Sequence, residues 1–270
     1  MKYSEFRTFR RDRNIWKNGK VMNPRIDWIT RVVYCHFLEY PFLKLALYYN
    51  LSPNQVSKIG ILLGILGSLC FLVCNFWISL LGCVFLHMCI LADWIDGDVA
   101  RFRDMKSLRG VHLDKIMFDT TIPILFFSVG WATYYEQQSI LLFVFGSLAA
   151  FSYIANKHIY NLKILSVIVG DRKKVSERLI QSKENTQDHT VQQKIQKKIL
   201  KKNIIRLDWM WTSKYIIILV TFGTLLQGLQ YFIVFYGVTC SLLMFLNYRR
   251  QLKLDFEGAF QWICKANTFD

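Results

Sequence analysis

The chain has 270 residues, of which 53% are hydrophobic and 16% aromatic, with a mean hydropathy of +0.24. That is more apolar than soluble domains usually are, so the excess needs a membrane or an unusually large core. The net charge of +15 would suit a nucleic-acid partner, but the basic residues are sorted by loop instead of covering one face, and nucleic acid is excluded. Seven cysteines (Cys35, Cys70, Cys74, Cys83, Cys89, Cys240, Cys264) show no paired metal-type spacing and read as free thiols, not as a disulfide framework. Met1 to Lys20 is basic without an apolar core, so no cleaved signal peptide is expected there.

Residues 1–50 divide into a basic arm and an amphipathic stretch. The arm, over 1–27, carries Arg7, Arg10, Arg11, Arg13, Lys17, Lys20 and Arg25. It suits an anionic membrane surface, each basic side chain adding about 1 kcal/mol near lipid; a disordered tail is the alternative. From Asp27 to Asn50, Trp28, Phe37, Leu38, Phe42 and Leu43 mix with Arg31, Glu39 and Lys44. That is too charged to span a bilayer and suits a helix lying in the interface.

Residues 51–250 read as a six-span domain. Ser52-Pro53-Asn54 signals a helix start ahead of a long apolar run. Spans are expected over about Ile59–Trp77, Ile78–Ala92, Lys115–Thr133, Ile140–Ala155, Tyr215–Leu229 and Tyr231–Leu246. Gly60, Gly64 and Gly67 would allow close packing of the first span. Between the fourth and fifth spans, 157–214 is polar and basic. Val191, Ile195, Ile199 and Ile204 fall near helical spacing there, which fits an amphipathic insert on the membrane face or a solvated connector. Residues 251–270 form a tail. The turns near Asn75, Tyr134–Ser139 and Gly228–Gln230 hold no Lys or Arg. The positive-inside rule then places both termini, the insert and the 101–115 loop in the cytoplasm.

The chemistry concentrates at the cytoplasmic end of the second span. Asp93-Trp94-Ile95-Asp96-Gly97-Asp98-Val99-Ala100-Arg101 is followed by Gly110-Val111-His112-Leu113-Asp114. Carboxylates near a bilayer are costly and rarely kept without a task. Asp93 and Asp96 share one helix face, and a hairpin would add Asp114. Clustered carboxylates repel unless a cation joins them, and oxygen-only ligands suit Mg²⁺, Mn²⁺ or Ca²⁺ over zinc. Gly97 allows close backbone approach, Ala100 leaves room one turn on, and Arg101 offers a planar fork to phosphate. Together they specify a diphosphate ligand.

The pattern D-x2-D-G-x2-A-R-x8-G-x3-D resembles the CDP-alcohol phosphotransferase family, and Ser52-Pro53-Asn54-Gln55-Val56-Ser57 is similar to its usual opening. The resemblance covers about residues 50–125. It implies membrane enzymes of phospholipid and related synthesis that hold a CDP-alcohol donor through two divalent ions, Mg²⁺ or Mn²⁺. An acceptor alcohol attacks the phosphorus bearing the donor's alcohol and CMP leaves. By resemblance Asp93, Asp96 and Asp114 are metal ligands, while Gly97, Ala100, Arg101, Ser107 and Gly110 shape the nucleotide site. A homodimer is also implied.

One position departs from the pattern. The family's fourth Asp, ligand and base, is replaced by Phe118, and Asp119 comes one residue late. Asp119 lies about 140° around a regular helix from Asp114, so it joins the metal site as ligand and base only if a π-bulge near Met117 shifts the register. Otherwise His112, a substrate group or water serves as base, or the chain is a catalytically impaired scaffold or sensor. A cation transporter fits less well, because the acids sit at span ends and not mid-span. A terpene-synthase-like site would need a DDxxD run, which is absent.

Overall fold

The computed structural model of the chain describes residues 38–105, 107–170 and 213–251. Every regular element among them is a helix: α1 (Glu39–Tyr48), α2 (Pro53–Leu69, continued by a 3-10 turn over Cys70–Val73), α3 (Phe76–Phe102), α4 (Leu108–Gln137), α5 (Ile140–Gly170), α6 (Ser213–Leu225) and α7 (Leu229–Gln251). The basic arm, residues 171–212 of the insert and the tail beyond Gln251 lie outside the described residues.

The helix starts are written in the sequence. Ser52 and Gln55 form a reciprocal capping box with Pro53 at the first turn of α2, which satisfies amides that would otherwise lack partners. Asn75 accepts from the Trp77 and Ile78 amides to open α3. Ser107 does the same for α4 through the Gly110 amide. The α2–α3 turn closes on Cys74, and the α4–α5 turn on Gln138, each in a left-handed conformation.

Five helical segments are long and apolar enough to cross a membrane: Pro53–Val73, Phe76–Phe102, Leu108–Gln137, Ile140–Ile159 and Leu229–Arg249. They mark an integral membrane protein of all-α type. The fifth expected span, Tyr215–Leu229, falls on α6, which holds 13 of the described residues, fewer than the roughly 20 that cross a hydrocarbon core; the residues before Ser213 lie outside the described ones. Five helices of spanning length therefore stand among the described residues. α3 and α4 each run well beyond the limits expected for their apolar cores, so Asp93–Arg101 and Gly110–Asp114 are both helical, on either side of the turn that follows Phe102. α5 continues through Lys157 to Gly170, and the start of the polar stretch is an extension of that span. Of the interfacial helix only α1 is described. Its Leu43 and Ala46 are buried with Val56 of α2 and Leu91, Ala92, Ile95 and Val99 of α3.

Helices in lipid gain little from hiding apolar surface from one another, so close backbone approach and dispersion hold them together. α2 packs antiparallel to α3 and also against α4. A Cβ added at Gly67 would lie 2.8 Å from the Gly82 carbonyl oxygen, and one at Gly64 would lie 2.3 Å from Thr121 Oγ1. α4 and α5 meet where Gly130 faces Gly146. The larger core joins α3 through α7 around Phe126, whose ring lies 5.3 Å from Tyr236 and 6.3 Å from Tyr153. Cys83, Cys89 and Cys240 are buried free thiols, and Cys70 and Cys74 are half-buried and also free, as expected.

Candidate active site

Four helix ends converge at one end of the bundle: the starts of α2, α4 and α6 and the last turns of α3. α3 presents Asp93 and Asp96 one turn apart, on the face toward α2, α4 and α6. Asp96 is buried, and its Oδ2 accepts a 2.6 Å hydrogen bond from Ser57 Oγ of α2. Asp114, in the second turn of α4, comes close enough to Asp96 for their side chains to interact directly, with Asp93 in electrostatic range of both. Lys214 of α6 meets the cluster from the other side, its Nζ 2.8 Å from Asp93 Oδ2 and 5.0 Å from the Trp94 ring centroid.

The remaining motif residues surround this cluster. Asp98 is fully buried and is the carboxylate that receives the Arg101 guanidinium. That guanidinium folds back over Gly97, where an added Cβ would lie 3.1 Å from an Arg101 terminal nitrogen. Gly97 thus makes room for the arginine. Arg101 is 39% exposed on its side chain, so part of its fork still faces out. Ala100 is half-buried on the same turn, its carbonyl closing the helix end by accepting from the Met105 amide at 2.8 Å. Ser107 is the cap of α4. Gly110 sits beside it with Asn54 Oδ1 across the gap, 3.6 Å from where a Cβ would stand.

The donor set is carboxylate oxygen, the chemistry a hard divalent cation takes. Asn54 Oδ1 is shielded from solvent and has no hydrogen-bond partner, so this end of the bundle also holds an unused acceptor. The residues therefore fit a divalent ion. Among the described residues no three His, Cys, Asp or Glu side chains are gathered around one point to ligate a metal. Asp93 is turned to Lys214, and Asp96 is turned to Ser57.

Residues 50–169 match the family model described as CDP-alcohol phosphatidyltransferase. Residues 50–169 belong to that family. The match reaches past the motif through α4 and along nearly all of α5. Over 105 residues the chain is also 31% identical to an uncharacterized protein of Aquifex aeolicus (strain VF5). That stretch is 38% of this chain and 52% of the Aquifex protein, so the chain spans about half the length of the curated relative it matches.

Within this CDP-alcohol phosphatidyltransferase stretch, two expected site residues stand apart from the cluster. α4 is an uninterrupted α-helix from Leu108 to Gln137, with no π-bulge at Met117. Thr120 Oγ1 and Thr121 Oγ1 bond back to the Ile116 and Met117 carbonyls, at 2.8 Å and 2.6 Å, as side chains on regular turns do. Without an extra residue Asp119 stays about 140° around the helix from Asp114. It points to α5, where Lys157 Nζ lies 3.3 Å from its Oδ1. Phe118 packs against the larger core together with Trp94. His112 is exposed on the first turns of α4. Being two residues from Asp114, it looks to the opposite side. His87 bonds to Thr221 of α6 at 3.0 Å inside the bundle.

Ser57 and Lys214 were not foreseen as site residues. Ser57 carried a signal, since it lies one turn beyond the Ser52-Pro53-Asn54 start and on the same helix. Lys214 carried none, because a basic residue opening an apolar run looks the same whether it meets lipid headgroups or a carboxylate.

Proposed function

We propose that the chain is a membrane CDP-alcohol phosphotransferase. It moves a phospho-alcohol or phosphatidyl group from a CDP-alcohol to an acceptor hydroxyl and releases CMP, in phospholipid or related lipid synthesis. The observation that carries this reading is the convergence of Asp93, Asp96 and Asp114 from α3 and α4 within the family-matched stretch. A divalent ion, Mg²⁺ or Mn²⁺, bound there would offset charge on the donor's diphosphate and on the departing CMP. Asp96 and Asp114 are the residues that would hold it, with Asp93 beside them. Ser57 orients Asp96. Arg101, anchored by Asp98 and seated over Gly97, offers its free edge to phosphate. The Ser107–Gly110 cap and Asn54 bound the side where α4 begins, and the lack of a side chain on Gly110 keeps that gap open.

The active site and both termini are assigned to the cytoplasm on the loop charges. The basic arm is assigned to anionic lipid, and a second copy of the chain is the expected partner. The test is CMP release by the purified full chain in lipid nanodiscs, given CDP-linked donors with a panel of polyol, phospho-polyol and amino-alcohol acceptors. Release that needs Mg²⁺ or Mn²⁺ and disappears in Asp96→Asn supports the reading. Metal-independent release, or full release in Asp96→Asn, defeats it.

A second reading has one specific observation in its favour. Phe118 occupies the turn after Asp114, and Asp119 is drawn to Lys157, so among the described residues α4 brings no further carboxylate to the cluster to take the acceptor's proton. A chain that binds a CDP-alcohol without turning it over would serve as scaffold or sensor. Saturable binding of a CDP-alcohol with no CMP release from any acceptor identifies that case.

A further inference from the structure

Five acids on α3 and α4 lie in or beside the motif, and three have their own basic partner. Asp98 is paired with Arg101, Asp119 with Lys157 and Asp93 with Lys214. Asp96 and Asp114 form no ion pair among the described residues, and they face each other. The Lys214 contact is well anchored. Its side chain is 30% exposed and that of Asp93 is 16% exposed, so the pair is largely withdrawn from solvent, where a charge pair is screened least. The ammonium also rests on the Trp94 ring, a second attraction that strengthens away from water. The preceding residue, Ser213, lies 3.1 Å through its Oγ from Tyr153 OH of α5, so the start of α6 is tied on both sides.

We infer that Lys214 occupies one of the cation positions of the acidic cluster, so that the protein without donor takes up a single divalent ion per chain, at Asp96 and Asp114. The charges agree. Three clustered carboxylates less one ammonium leave two negative charges, which one divalent ion neutralises. A second ion could reach Asp93 only by displacing Lys214, and Phe118 supplies no oxygen in compensation. Donor binding would add the negative charge of a diphosphate, and that is the condition under which a second ion would compete with the lysine. The inference rests on the metal-dependent reading above and concerns the number of ions, not the reaction.

The experiment is Mn²⁺ titration of the full chain in nanodiscs without nucleotide, with free Mn²⁺ counted by electron paramagnetic resonance. One Mn²⁺ per chain is expected in the unaltered protein and in Lys214→Arg, and two in Lys214→Met. Two ions in the unaltered protein overturn the inference without touching the proposed function. One ion in both the unaltered protein and a monodisperse Lys214→Met also overturns it, because the lysine would then hold no cation position. No bound Mn²⁺ in the unaltered protein defeats the metal-dependent reading and this inference together. The count in the unaltered protein decides the matter even if Lys214→Met fails to fold.

Discussion

Ser57 Oγ donates a 2.6 Å hydrogen bond to Asp96 Oδ2 where α2 crosses α3, with both side chains buried. The bond fixes which oxygen of Asp96 remains available to a cation. Removing such a supporting contact commonly weakens metal binding by about 10- to 100-fold. Ser57→Ala should therefore need more Mn²⁺ for half-saturation by a factor in that range, with the helix content unchanged by circular dichroism. An unaltered Mn²⁺ affinity would show that Ser57 does not tune the site.

Asp96→Asn and Asp114→Asn should each lower CMP release by about two orders of magnitude or more, the scale on which losing a charge-stabilising group is felt. Asparagine keeps the shape and loses the charge, so thermal unfolding of the purified protein should stay close to that of the parent. Turnover within a few-fold of the parent in either variant would remove that carboxylate from the site.

Asp119→Asn should behave differently. Its pair with Lys157 is partly exposed on both sides, and such pairs contribute about 1 kcal/mol or less. The Mn²⁺ count should be unchanged and turnover should fall no more than a few-fold. A loss as deep as that of Asp96→Asn would mean that α4 shifts its register when ligand binds.

The parts of this arrangement that depend on near neighbours were legible in the sequence. Ser52, Asn75 and Ser107 declare the starts of three helices because a cap acts within one turn. Asp93 and Asp96 declare a shared face because helical periodicity alone decides it. The fate of Asp119 was not legible. Residues 114–119 permit either a regular helix or a bulge, and the choice falls to Lys157 on another helix and to the threonines that bond back along α4. Lys214 is the extreme case, its meaning set by a partner far away in the chain.

The Gly130–Gly146 contact offers a test of packing apart from the site. A Cβ on Gly146 would lie 2.6 Å from Gly130 Cα and 2.8 Å from the Phe126 carbonyl oxygen. Backbone cannot swing aside as a side chain can, so Gly146→Ala should destabilise by about 1–3 kcal/mol, the usual range for overpacking. Gly228→Ala, whose added carbon would meet only Tyr231 at 3.6 Å and the Leu226 carbonyl oxygen at 4.0 Å, should be close to neutral. Equal unfolding temperatures in detergent for the two variants would contradict the α4–α5 contact.

The assigned sidedness predicts opposite labelling at the two ends of α4. In a cysteine-free background and sealed right-side-out vesicles, Gln137→Cys should react with an impermeant maleimide and Arg109→Cys should react only after permeabilisation. The reverse pattern would invert the whole layout and place the acidic cluster outside.

α3 does not stop at its acidic residues. From Asp96 it continues to Phe102, a further rise of about 9 Å, so in a chain that spans the bilayer the carboxylates lie beneath the rim of the bundle and not on its tip. A donor or acceptor with acyl chains would then meet the site by sliding within one leaflet, without leaving the lipid. The quantity governing its encounter is its mole fraction in that leaflet. Diluting a lipid substrate with inert lipid at constant total substrate should slow turnover, whereas adding buffer to the same vesicles should leave it unchanged.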